Sequence, residues 1–238
     1  MAQAKQITFY THALSPYCQS VHIALEEAKA EYTSYHVDLK DKPAFFVNEV
    51  NPVGKVPALT YGGPKVSPEQ PSPESAKLRE SRVILEFLAD LFPDSGLLPQ
   101  DPVLRAKARL FIAVFDAQAF DAFKAYFWMN EPATKLLDVF DALQKLLPAT
   151  GFATGEKWSI ADMTVAPLLS TVVTLLENDL GVYPVGDGRN TLEVLRGERF
   201  ARFSTYIDDL QAQPGFKAVW NKDAQITTGK TNARFQRK

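Results

Sequence analysis

The stretch LSPYCQS, residues 14–20, lies between the strand-like ITFY and the helix-like VHIALEEAKA, and it holds residues suited to chemistry. A thiol redox protein would set Cys-x-x-Cys at such a strand-to-helix step, because a helix N-terminus presents unpaired N–H groups and positive partial charge that favour a thiolate. Here the first position is Ser15, and Cys18 is the single cysteine of the chain. Three roles are open to Ser15: nucleophile, holder of a thiolate brought by a ligand, or helix cap. Attack requires an adjacent general base, and no His/Asp arrangement is legible near Ser15, where His12 stands alone. The cap is well founded, since serine accepts from orphan N–H groups and Pro16 is preorganised for the first helical position. Cys18 falls at helical spacing with Val21, Leu25 and Ala28 and reads as a core residue.

Two further clusters carry polar or backbone groups that suit a ligand. In GKVPAL, residues 54–59, Pro57 cannot donate to a sheet ladder and restricts Val56. The Val56 backbone is thereby left to pair with a ligand's peptide group, or the dipeptide simply marks an edge strand. In LRESRVILEFL, residues 78–88, Glu80 and Ser81 close a strand and open a helix. Ser81 with the helix N–H groups suits a carboxylate and Glu80 an ammonium, which together fit the charged end of an amino acid. Taken alone, the pair is more often just a favourable first helical turn.

The elements that must position these clusters follow from periodicity. Runs at 6–10, 31–38, 56–61 and 76–80 are short, mix β-branched or aromatic residues and are bounded by turn signals. Between them, Cys18–Ala28 and Ile84, Phe87, Leu88 and Leu91 keep helical spacing, and 43–50 is also helical. The order βαβ, a helical segment, then ββα predicts an α/β domain over 1–92, too short for a Rossmann fold. FPDSGLLPQDP, residues 92–102, is rich in helix breakers and sets the boundary. From 102 to 238 the strand signals stop, and the second domain is expected to be all-α, with a short helix after Pro214 and a loosely held polar tail after Trp220. GGPKVSPEQPSPES, residues 62–75, is expected to be an exposed loop; its Ser67-Pro68 and Ser72-Pro73 offer phosphorylation sites, but a plain polar loop is the better reading.

Composition limits the function classes. A chain of 238 residues with 46% hydrophobic and 23% charged residues can bury a full core. Its net charge of −2 gives no basic surplus to neutralise phosphates, so nucleic acid is not an expected partner. The N-terminus shows no apolar leader, and no run of about 18 uncharged apolar residues suits a bilayer, which points to a cytoplasmic protein without membrane partners. One cysteine excludes an internal disulfide, and His12, His22 and His36 lack metal-ligand spacing, so no metal is expected.

The ordered combination of the SPYC step, VPAL, the Glu80-Ser81 helix start, the 92–102 linker and an all-α second half resembles the cytosolic glutathione transferases. SIAD, residues 159–162, resembles that family's capping motif and is physically a capping box. LSPYCQS together with DLKDKPAFF, residues 38–46, looks most like the Omega class and its fungal relatives. The resemblance implies a thioredoxin-like N-terminal domain, glutathione as co-substrate and a homodimer. It also implies that Lys42 helps hold glutathione, that the Val56 backbone beside Pro57 pairs with its cysteinyl backbone, and that Glu80 and Ser81 take its γ-glutamyl end; Lys55 is a further contact. Omega proteins carry a catalytic cysteine where this chain has Ser15. A hydroxyl donating to the glutathione thiolate contributes about 1.5–3 kcal/mol, enough to lower a thiol pKa by roughly one to two units. Ser15 is then expected to hold that thiolate while capping its helix.

Along the helical segment after Pro102, Leu104, Ala108, Phe111, Phe115, Ala119, Ala122 and Tyr126 form one apolar stripe, and Phe120, Phe123, Phe127 and Trp128 lie off it. A helix apolar on two sides is either buried on both or lines a cleft. On the second reading Tyr17, Phe123, Tyr126 and Phe127 form an aromatic ligand site for small aromatic electrophiles, giving a transferase that conjugates or deconjugates them. The alternative function is a carrier of aromatic small molecules with negligible turnover.

Overall fold

A computed structural model describes residues 5–237. The chain divides into two compact units, Met1–Leu97 and Leu98–Lys238, and the division falls inside FPDSGLLPQDP.

The first unit is built on a four-stranded sheet of β1 (Ile7–Thr11), β2 (Thr33–His36), β3 (Ala58–Tyr61) and β4 (Ala76–Arg79), in the order β2-β1-β3-β4. Every residue of β1 is buried, as a strand flanked on both edges requires. β2 runs parallel to β1, whereas β3 is antiparallel to β1 and β4 to β3. α1 (Pro16–Glu27) joins β1 to β2 and buries Cys18, Val21, Ile23, Ala24 and Leu25. α2 (Ser81–Leu91) follows β4 directly and buries Ile84, Leu85, Leu88 and Ala89. Its Phe87 is only half-buried and packs edge-on against Tyr61. The small mixed sheet with its helices is a thioredoxin-like domain.

The 62–75 segment departs from the expectation of a plain exposed loop. Pro71, Ser72 and Ser75 are buried. The Gln6 side chain donates to Val66 O and accepts from Val66 N, both at 2.9 Å, and the Tyr10 hydroxyl donates to Pro68 O at 2.7 Å. Lys77 Nζ donates to the carbonyls of Ser72 and Ser75. Prolines stiffen the segment and these bonds satisfy the backbone groups that it buries.

The second unit is helical. α3 (Pro102–Met129) starts at an Asp101 cap, whose carboxylate accepts from Leu104 N at 2.8 Å, and ends at Asn130 in the left-handed region. It is followed by α4 (Thr134–Gln144), α5 (Ile160–Glu177), α6 (Asp187–Arg196), α7 (Ala201–Ala212), α8 (Pro214–Val219) and α9 (Lys222–Thr231). α5 is the central helix, with all of its residues buried except Thr171 and Glu177. Its length and mean hydropathy of 1.5 would suit a bilayer, but 89% of it is buried inside the protein. Its start is the SIAD box: Ser159 N donates to Asp162 Oδ2 at 2.8 Å, while Ala161 N and the Asp162 backbone turn back on Ser159. Asp162 also accepts from Ala153 N at 2.8 Å and from the Tyr206 hydroxyl at 2.7 Å, so one fully buried carboxylate ties three segments together.

The tail after Trp220 is not loose. It forms α9 and a short turn, Ala233–Phe235, and carries Arg237, which donates to Asp179 O at 2.6 Å, Asp179 Oδ2 at 2.8 Å and Tyr183 O at 2.9 Å. A largely polar segment is held here by these hydrogen bonds together with one buried ring, Phe235, packed against Phe123 and Trp128.

Candidate functional site

The sheet register gathers the sequence clusters at one end. Tyr10 of β1 pairs with Ala58 of β3, and Ala58 pairs with Arg79 of β4. The residues after β1, before β3 and after β4 therefore share the sheet end where α1 and α2 begin. Those residues are Ser15, Val56-Pro57 and Glu80-Ser81. β2 ends at the same level, with Thr11 opposite His36 and Val37 N donating to Thr11 O at 2.9 Å, so the segment carrying Lys42 also leaves from this end.

Ser15 is the N-cap of α1, and its Oγ accepts from Cys18 N at 3.3 Å. A hydroxyl has one proton and two lone pairs, so this cap leaves the Ser15 proton to be donated elsewhere. The turn that carries Ser15 is pinned by Ser15 N donating to His12 O at 3.1 Å and by Gln19 Nε2 donating to Ala13 O at 2.8 Å. Cys18 is 1% exposed. Burial pushes its thiol up, outweighing the hydrogen bonds from Ser15, His12 and Thr11, so it stays protonated and neutral near neutral pH.

Val56 and Pro57 are joined by a cis peptide bond. Val56 packs against the cluster of Tyr10, Val37, Phe46, Val50 and Ala58, and among the described residues no backbone hydrogen bond engages it. The turn before it is organised by Asn51, which sequence reasoning missed. Asn51 is buried, its Nδ2 donates to Lys55 O at 2.7 Å, its Oδ1 accepts from Val53 N at 3.2 Å and its carbonyl accepts from Gly54 N at 2.8 Å. Its own N–H closes a π-helical turn, Phe46–Val50, on Phe46 O at 2.8 Å. The Asn-Pro pair at 51–52 was the available signal, since Asn side chains bond their own turns. Gly54 has a φ of 67°, and a Cβ there would lie 3.4 Å from Lys42 Nζ. Glycine thus serves the left-handed turn, beside which the Lys42 side chain lies.

Glu80 precedes α2 with a φ of 68°, a left-handed conformation unusual for a side chain with Cβ. Ser81 is the first residue of α2 and is buried. Such outliers persist where the surroundings over-determine them, and they gather at ligand sites. Tyr17 is half-buried on the first turn of α1, with the Arg82 guanidinium 5.8 Å from its ring centroid. With two helix N-termini, an ammonium at Lys42 and a carboxylate at Glu80, this sheet end presents complementary charges for a small zwitterionic peptide.

Phe123, Tyr126 and Phe127 are placed otherwise than the ligand-site expectation. They are 4%, 3% and 0% exposed. Phe123 stacks on Phe127 at 4.7 Å and meets Phe235 edge-on, while Tyr126 stacks on Tyr183 at 4.6 Å and bonds Thr191 Oγ1 at 2.8 Å and Asp187 O at 3.1 Å. The core alternative accounts for them, because the tail turn that carries Phe235 covers the second apolar face of α3. Among the described residues no group of three or more histidine, cysteine or acidic side chains could hold a metal ion.

Residues 9–96 match the family model described as Glutathione S-transferase, N-terminal domain. The chain is similar to glutathione transferase Omega 1C from Trametes versicolor, with 44% identity, a TM-score of 0.92 and coverage of 97% of both chains. Omega 2S from the same organism is 45% identical, with a TM-score of 0.91, over 98% of this chain and 100% of that one. Among curated relatives, pyrimidodiazepine synthase of Drosophila melanogaster is 32% identical over 68% of this chain, which spans 63% of that protein's length. Since the likeness to the Trametes proteins runs through both units, the chain belongs to the glutathione transferase family of enzymes and is Omega-like, of the fungal type.

Proposed function

We propose that the protein is a glutathione transferase in which Ser15 stabilises the thiolate of bound glutathione for conjugation or deconjugation of aromatic electrophiles. The observation that carries this reading is the Ser15 hydroxyl at the start of α1, whose cap uses an oxygen lone pair and not its proton. The glutathione subsite consists of Lys42, the Val56 backbone beside Pro57, Glu80 and Ser81. Glu80 takes the γ-glutamyl ammonium, Ser81 and the α2 N–H groups take its carboxylate, and Val56 pairs with the cysteinyl backbone. Glutathione enters as a thiol and loses its proton to water. Its sulfur, held by Ser15, then forms the S–C bond while the electrophile's leaving group departs with its electron pair. The Ser15 bond contributes about 1.5–3 kcal/mol if fully formed.

The aromatic class rests on the related Omega 2S protein, a structure of which is in complex with 2,4-dihydroxybenzophenone. That complex equally favours a second reading, a carrier of aromatic small molecules with negligible turnover; a conjugation assay separates the two. The protein is further read as a cytoplasmic homodimer, for which light scattering in solution is the check. Calorimetry tests the subsite. Glu80→Ala and Ser81→Ala are expected to weaken glutathione binding at least several-fold, since each removes a partner of a charged group. Unchanged affinity in both variants would remove the glutathione-site assignment.

A further inference from the structure

The turn that delivers Ser15 to α1 runs from His12 to Ser15 and is closed by one backbone bond, from Ser15 N to His12 O at 3.1 Å. Turns of this kind often lack that bond altogether, and Ala13, inside this one, is exposed. Gln19, on the second turn of α1, closes on it twice. Its backbone N donates to Ser15 O at 2.9 Å, as a helical residue does, and its side-chain Nε2 reaches back six residues to Ala13 O at 2.8 Å. One residue thus holds the backbone at Ser15 and two positions before it.

Stability does not account for a glutamine at this place. Gln19 is 3% exposed, and its other amide atom, Oε1, is buried without a hydrogen-bond partner. A buried amide satisfied at one end only is costly, whereas an apolar side chain of the same length desolvates no polar group. α1 otherwise buries mainly small or apolar side chains, Cys18, Val21 and Ile23 among them. Methionine would fill the space of Gln19, since it is unbranched and adapts to irregular gaps. What methionine cannot do is hold the Ala13 carbonyl. A local rule broken beside a candidate site, with a geometric return, is the pattern expected of function.

We infer that Gln19 is a positioning residue: by tethering Ala13 O it fixes the turn from which the Ser15 hydroxyl meets the glutathione sulfur, an assignment that rests on the proposed role of Ser15. A hydrogen bond weakens steeply as its angle departs from linear. A turn released at Ala13 samples poorer angles at Ser15 Oγ, while Val56, Glu80 and Ser81, which lie on other elements, keep their places.

The test titrates the thiolate of bound glutathione, followed by ultraviolet absorbance, in the full-length wild type, Ser15→Ala, Gln19→Met and the double variant. Gln19→Met is expected to move the titration up by about half a unit or more, in the direction of Ser15→Ala. Its glutathione affinity should stay within about two-fold of wild type, and its melting temperature should be equal or higher, because the unpaired amide is gone. The double variant should titrate where Ser15→Ala does, since with the hydroxyl absent there is nothing left to position. Gln19→Leu, measured alongside, should repeat the shift if methionine disturbs the fold. If Ser15→Ala shifts the titration while both Gln19 variants match wild type, the inference is overturned and the Ser15 reading stands. Additive shifts in the double variant would overturn it as well, because Gln19 would then act without Ser15. If Ser15→Ala itself titrates as wild type does, the Ser15 reading fails and the inference falls with it.

Discussion

At the scale of single residues, the difference between serine and cysteine at position 15 decides which chemistry the helix start can support. A cysteine at such a place can have its pKa lowered from about 8.5 into the range of roughly 3.5–7.5 and form mixed disulfides, whereas the serine hydroxyl stays protonated and can only hydrogen-bond. The unmodified protein is therefore expected to show little glutathione-dependent disulfide reduction, and Ser15→Cys to gain it. The variant would carry Cys-Pro-Tyr-Cys, with Cys18 at hand as a second thiol. Burial keeps Cys18 protonated, so it should resolve the mixed disulfide slowly and glutathione should do so instead. Mass spectrometry of the variant with glutathione disulfide reads this out. An accumulated glutathione adduct on residue 15 is expected, and absence of both adduct and activity would contradict a thiolate-stabilising helix start.

At the scale of elements, the sequence carried most of the fold because each element announces itself locally. The strands, the capping box at Ser159–Asp162 and the Ser15-Pro16 and Glu80-Ser81 helix starts are all written in residue type and spacing. What was not legible depends on distant partners. The anchoring of 62–75 by the Gln6 and Tyr10 side chains and the Arg237 clasp each rest on polar side chains finding backbone groups more than fifty residues away, whereas the tie between Asn51 and Lys55 is local and was signalled by the Asn-Pro pair. Periodicity alone likewise could not tell a buried second face of α3 from an open one, since Phe235, which covers it, lies more than a hundred residues away. The core assignment makes a definite claim. Phe123→Ala should destabilise the protein by about 3–5 kcal/mol, the usual cost of emptying a packed aromatic site, measured by denaturant unfolding. A stable variant that had lost only aromatic-ligand binding would restore the cleft reading.

At the scale of the whole molecule, stability and chemistry are lodged at different places and can be perturbed separately. Within the helical unit, burial alone would raise the Asp179 carboxyl, but the N–H groups of Gly186 and Gly188 and the Arg237 guanidinium outweigh it and hold it below the usual carboxylate range. The folded protein therefore binds this proton more weakly than the unfolded chain does. The resulting stability is complete above the unfolded value of about 3.9 and is lost as pH falls through the lower folded value. Arg237→Ala should cost about 1–2 kcal/mol at neutral pH, given that a third of the Arg237 side chain remains in water, and the gap to wild type should narrow in acid; a pH-independent gap would assign the loss to packing alone. The catalytic proposal is tested most directly by titrating the thiolate of bound glutathione, followed by its ultraviolet absorbance, in wild type and Ser15→Ala. In the wild type the sulfur should ionise roughly one to two units below the free thiol value of about 8.5, and in Ser15→Ala the titration should move back up by most of that shift. Glutathione affinity should stay nearly unchanged in the variant, while removal of the cap lowers stability by about 1 kcal/mol. Superimposable titrations in the two proteins would contradict the account, leaving Ser15 a helix cap and the sulfur to be held by other groups.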